Sequence, residues 1–211
     1  MKKIIICLAF GVILSNQLIC SQSISLQPYN KNRYSIDEKL MVGLGTWATT
    51  NFIVSGIGWS QAKTTESQYF HQMNVMWNLV NIGLAIPGYV KANRARTDLT
   101  YEQTLQEQKK TEKIFLINTC LDVAYVSSGL LLLHKSKETS PVDQRQSGYG
   151  KSILLQGGFL FLFDLTAYLT HKTHGKALIN SSMGSIGMSP TGIGLSWNIP
   201  PVTLTQNHRF L

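Results

Sequence analysis

The stretch QMNVMWNLVNIGLAIPGYV, residues 72–90, decides how this chain is read. It runs 19 residues without a charge, enough to cross the roughly 30 Å hydrocarbon of a bilayer at about 1.5 Å per residue. Within it Asn74, Asn78 and Asn81 recur at i, i+4 and i+7, and His71 precedes them in the same phase. Four hydrogen-bonding side chains therefore share one helix face. The opposite face, Met76, Val80, Gly83 and Pro87, carries nothing polar. A soluble helix would turn Lys and Glu outward. A helix polar on one side, apolar on the other and charged on neither suits lipid outside and polar partners inside.

Three further apolar windows flank it, at 40–61, 114–133 and 152–170. In the first, Asn51, Ser55, Gly58 and Ala62 line up at i, i+4, i+7 and i+11, a face of small residues that lets a second backbone approach. In the third, Asn118, Asp122, Tyr125 and Gly129 repeat that spacing, and in the fourth Gly157, Asp164, Tyr168 and His171 share a face. The short segment 63–70 implies that the first two windows are antiparallel neighbours. Pro87 predicts a kink or an early helix end. Thr100 and Gln103 form a capping box that starts a helix leading into the third window. The segment 134–151 reads as a loop with a turn at Gly148-Tyr149-Gly150. The expected fold is an all-α, four-helix transmembrane bundle spanning 40–171.

The two ends differ from this centre. Residues 1–21 carry two lysines, then an apolar run and a polar turn, the pattern of a secretory signal peptide. Residues 22–39 are polar. The tail, 172–211, is rich in Gly and Ser and alternates weakly at period two, which fits either a β-hairpin around 190–192 or a flexible extension, with partial disorder the favoured reading.

Composition agrees with a membrane setting. Charged residues make up 14% of the chain, against roughly 25% in soluble domains. The net charge is +8, falling to +6 if a segment with Lys2 and Lys3 is removed. That excess suits anionic headgroups; with no basic stripe interleaved with aromatics, nucleic acid is not an expected partner. Cys7 and Cys20 lie in the signal and Cys120 in an apolar window, which leaves no pair for a structural disulfide.

Certain stretches carry a resemblance. Tyr69-Phe70-His71-Gln72-Met73-Asn74 with Met76-Trp77-Asn78, Leu121-Asp122-Val123-Ala124-Tyr125, and Gly148-Tyr149-Gly150 continuing into Gln156-Gly157-Gly158-Phe159 and Asp164 are its substance. Over about residues 40–175 the chain resembles a family of small four-span bacterial membrane proteins of unknown function. The resemblance implies a four-span membrane domain and supplies no activity, substrate or site roles; the expected location is the bacterial inner (cytoplasmic) membrane, as a multi-pass protein.

The residues must therefore carry the functional reading. An ionisable group inside a bilayer costs roughly 2.5–3.5 kcal/mol on insertion scales and is a functional hypothesis by default. Counting from one membrane face puts Asp122 about 12 Å deep and Asp164 about 9 Å, with Asn51 and Asn81 near 15 Å, so these four can cluster on neighbouring helices. With no Lys or Arg in any window, at least one of two adjacent carboxyls is expected to be protonated. The polar seam comprises Asp122, Asp164, Asn51, Asn81, Asn78, Asn74, His71, Asn118, Tyr125 and Tyr168. It serves either helix packing, in a non-enzymatic scaffold or partner-binding subunit, or ion and proton handling through the two aspartates. The expected partners are the lipid bilayer and another membrane protein or a second copy of the chain. No cofactor and no metal is expected, because His71 lies a membrane's thickness from His171 and His174. Gly150-Lys151-Ser152 mimics the end of a P-loop, but Arg145 stands where its first glycine belongs and no strand precedes it. Trp47, Trp59 and Trp77 read as interfacial anchors. Twelve Lys and Arg lie on one side of the bundle and five on the other. Positive-inside makes the twelve-charge side cytoplasmic, whereas a cleaved signal places it outside.

Overall fold

Helix propagation here depends on apolar stretches bounded by definite start signals. A computed structural model describes residues 25–136, 140–182, 185–189 and 192–196. The signal-peptide reading of residues 1–21 lies outside them. Helix α1, Gln27–Ser60, begins with Pro28 in its first turn, where a missing N–H costs nothing. Helix α2, Thr65–Asn93, is capped by the Thr64 hydroxyl accepting from Ser67 N–H. Helix α3, Tyr101–Lys135, starts at the expected capping box: Thr100 and Gln103 each accept from the other's backbone N–H. Helix α4, Pro141–Ser182, is the longest at 42 residues, about 63 Å at 1.5 Å per residue. Two short strands, β1 Ser185–Ser189 and β2 Gly192–Ser196, pair antiparallel.

Several boundaries differ from those expected. Pro87 does not end α2, which continues to Asn93. The polar segment before residue 40 is helical from Gln27, and α4 runs on past residue 170. Gly148-Tyr149-Gly150 is not a turn but part of α4. Close helix approach, not chain reversal, explains these glycines. A Cβ on Gly148 would collide with the backbone carbonyl of Glu66 in α2, and one on Gly150 would sit 3.0 Å from the Gly129 carbonyl of α3. Gly58 likewise leaves room for the His71 ring.

In the bundle α1 packs on α2, α3 on α4, and α2 and α4 lie side by side, with a lighter contact between α1 and α4. Neighbours in sequence are antiparallel, so the start of α1, the end of α2, the start of α3 and the end of α4 meet at one end, called here the proximal end.

The distribution of polarity is inverted. Among the described residues fifteen polar or charged side chains are buried against seven apolar ones, the reverse of a soluble core. Large apolar side chains face outward in a band: Val42 to Trp59 on α1, Met76 to Val90 on α2, Ile114 to Leu131 on α3, and Leu155 to Leu169 on α4. Leu162 is 64% exposed and Val80 62%. Three segments are long and apolar enough to cross a membrane: Gln27–Ser60, Tyr101–Lys135 and Pro141–Ile179. Helix α2 is not among them, because its asparagines lower its mean hydropathy. Yet Asn74, Asn78 and Asn81 are all buried, and its outer surface is as apolar as the others.

Candidate functional site

The buried polar side chains form two groups at different heights. The first lies within the apolar band. Gln156, wholly buried on α4, bridges two other helices: its Oε1 accepts from Trp47 Nε1 of α1 at 3.1 Å, and its Nε2 donates to Asn74 Oδ1 of α2 at 2.7 Å. Asn78 Nδ2 donates to the Asn74 carbonyl at 2.7 Å. The Trp47 ring stacks on Phe159, centroids 3.9 Å apart. Trp47 is thus a half-buried cross-link between α1 and α4 and not the interfacial anchor expected of it. On the α3–α4 side Asp122 and Asp164 are both buried and lie beside each other, with Asn118 next to Asp164. Asp122 Oδ2 has no partner of its own, nor do Asn74 Nδ2, Asn78 Oδ1, Asn81 Nδ2 and Ser152 Oγ.

The expected seam residues therefore divide. Asp122 and Asp164 come together as a pair with Asn118, and Asn74 joins Asn78. Asn81 is buried nearby, while Asn51 turns back to its own helix, donating to the Trp47 carbonyl at 2.9 Å. His71 sits half-buried against Gly58, its Nδ1 unpartnered. Tyr125 is exposed and meets Trp77 edge-on, and Tyr168 accepts from Lys172 Nζ at 3.0 Å. On α3 the buried stripe is Phe115, Thr119, Asp122 and Gly129. It is rotated slightly from the expected one, so Asn118 and Tyr125 lie at its edge.

The second group, at the proximal end just beyond the apolar band, is not expected from the sequence apart from the inward face of His171. Arg33 on α1 is 1% exposed, and Gln108 on α3 and His171 on α4 are likewise buried. Asp37 joins two of them: its Oδ1 lies 3.0 Å from His171 Nε2 and its Oδ2 4.0 Å from Arg33 Nη1. The imidazole contact has ion-pair distance without hydrogen-bond geometry, so His171 Nε2 and Nδ1 both lack a hydrogen-bond partner. Gln108 Nε2 donates to the His171 carbonyl at 2.7 Å and to Glu112 Oε1 at 2.9 Å, and its Oε1 accepts from Tyr29 at 2.8 Å. Gly175 permits this approach, since a Cβ there would crowd Glu112 and Gln108. Asn30 Nδ2 donates to Thr104 Oγ1 at 2.9 Å.

His174 stacks on Tyr29 at 4.1 Å and closes the outer side of this group. Burial pushes the Tyr29 phenol up to about 12, against the opposing pull of Arg33, and so keeps it a hydrogen-bond donor. Burial likewise lowers His174 below its ordinary value, with the Tyr29 carbonyl pulling the other way. One signal in the sequence pointed here. The α3 stripe continues backward in phase through Gln108 and Thr104, into a segment whose charges suggest solvent.

At the opposite end, Glu66 of α2 holds Lys151 of α4 at 2.6 Å and Ser147 at 3.0 Å. Among the described residues no group of three His, Cys, Asp or Glu is placed to hold a metal ion.

No curated protein and no solved structure matches this chain. A family of unknown function, DUF6992, matches residues 43–165, a stretch that takes in both aspartates and the amide cluster and stops short of Arg33 and His171. Since the match covers more than half of the 211 residues, the chain belongs to that family.

Proposed function

We propose that this chain is an integral protein of the bacterial inner membrane, with four helices crossing the bilayer and a non-enzymatic role as a scaffold or partner-binding subunit. The inverted polarity carries the reading. Burying amides, hydroxyls and carboxyls while presenting valine, leucine and isoleucine to the surroundings is unfavourable in water and favourable in lipid. Helix α2 counts as the fourth span on this basis, its asparagines being buried inward and its outer face apolar. The bundle covers about 40–171, a cleaved signal precedes it, and the two short strands support a β-hairpin in the tail. The partner is a second copy or another membrane protein, docked on the apolar band.

A second reading has one observation in its favour: Asp122 and Asp164 face each other, with Asn118 alongside. Two neighbouring buried carboxyls share a proton readily, which suits a proton- or ion-handling module. Proteoliposomes separate the two. Asp122→Asn with Asp164→Asn leaves shape and hydrogen bonding nearly intact, so a scaffold keeps its fold and its partner. A cation or proton flux carried by the wild type and abolished in the folded double variant would favour the second reading. Absence of flux in the wild type, with partner capture unchanged, favours the first.

A further inference from the structure

We propose that Arg33 is the centre of an oxyanion-binding site at the proximal end of the bundle, taking a phosphate group in the fork of its guanidinium. Of the three guanidinium nitrogens, Nη1 faces Thr111 Oγ1 at 3.4 Å and Asp37 at 4.0 Å. Nε and Nη2 are buried and have no partner. These two form the side-on edge whose parallel N–H groups match two oxygens of one phosphate or carboxylate. A buried charge without hydrogen bonds is strongly disfavoured unless a counter-group completes it.

The nearby carboxylates do not fill that role. Asp37 lies against His171 and Glu112 accepts from Gln108, and neither bonds the Nε–Nη2 edge. His171, wholly buried and sharing Asp37 with Arg33, adds an unpartnered Nδ1 to the same group. The Tyr34 ring lies 4.2 Å from the guanidinium carbon, covering the cation without using its donors. Around this centre Lys39, Lys91, Lys113 and Lys172, one from each helix, stand exposed where the apolar band ends. They raise the local concentration of anions and place the site at headgroup height. The ligand chemistry is a phosphate, supplied by a lipid headgroup or from solution. The site goes beyond the scaffold reading, since a membrane scaffold can be indifferent to anions.

The test uses the full chain in dodecylmaltoside with 15Nε-labelled arginine. Arg33 is the buried one among the described arginines, so its Nε–H is the resonance protected from solvent exchange. Inorganic phosphate is titrated at constant ionic strength against chloride, and separately the micelles are doped with phosphatidic acid. A saturable shift of the protected resonance with inorganic phosphate assigns a soluble oxyanion, and a shift with phosphatidic acid alone assigns a headgroup. An unmoved resonance in both arms overturns the site. In Arg33→Lys, which keeps the charge and loses the fork, the rise of the unfolding midpoint with the same probe should vanish. An undiminished rise would assign the effect to the surface lysines and overturn the role of Arg33. The resonance arm needs no variant and decides the matter even where Arg33→Lys does not fold.

Discussion

The amide and carboxyl seam inside the apolar band and the Arg33 group at the proximal end are built from similar materials under different constraints. Within the band, the buried polar side chains are amides, hydroxyls and two neighbouring carboxyls, with no lysine or arginine among them. At the proximal end an arginine, a carboxylate and a histidine are packed together, beyond the band of outward apolar side chains. The seam joins helices by hydrogen bonds between the Gln156 amide and both Trp47 and Asn74. The proximal group leaves a cation with an open edge. Depth in the bundle, not residue type alone, sets which polar chemistry each region tolerates.

The sharpest way to break this contrast is Gln156→Leu. It strips the partner from Trp47 Nε1 and from Asn74 Oδ1 together, and each buried group left unpaired costs about 1–3 kcal/mol. The unfolding midpoint in detergent should fall further than for any single change at the proximal end. A leucine there that stabilises the protein would mean that apolar packing, and not the amide bridge, joins α1, α2 and α4.

An intermediate effect is expected from pH and should be confined to the proximal end. Burial holds the folded His174 below its ordinary value of 6.5, so the unfolded chain takes up its proton first. Stability from this group is present above pH 6.5 and is lost as pH falls through the lowered value. Protection factors of the α1 and α4 amides near Tyr29 and His174, corrected for the pH dependence of intrinsic exchange, should fall on acidification, and His174→Phe should flatten that response. An equal fall in the variant would locate the titration elsewhere.

The smallest effect is at the cap. Thr100→Ala removes the side chain that accepts from Gln103 and should cost about 1 kcal/mol, fraying the start of α3. Protection should drop at the Thr104 amide, which starts the proximal part of the buried stripe, and remain unchanged at Asp122.

These two regions were not equally legible. An asparagine or aspartate inside an apolar window is conspicuous, and helical spacing alone gives its face. Asn74, Asn78, Asn81, Asp122 and Asp164 could thus be placed inward before any contact was known. Arg33, Asp37 and Gln108 lie in polar stretches where a charge ordinarily means solvent, and only three-dimensional packing of helix ends shows otherwise. Gly148 and Gly150 misled for a related reason: glycine favours both turns and close helix contacts, and local sequence does not distinguish them. Trp47 and Gln156 sit 109 residues apart, a pairing that no local pattern encodes.

The central claim is that the outward apolar band meets lipid, and Cys120 on α3 reports on it directly. It is a free thiol exposed at the band between Ile117 and Leu121. In vesicles opened so that both leaflets meet a charged maleimide, with Cys7 and Cys20 replaced by serine, Cys120 should label at least about tenfold more slowly than a Lys63→Cys control, because hydrocarbon excludes the charged reagent. Labelling at the rate of the control would mean that water covers this face, and the account would be contradicted.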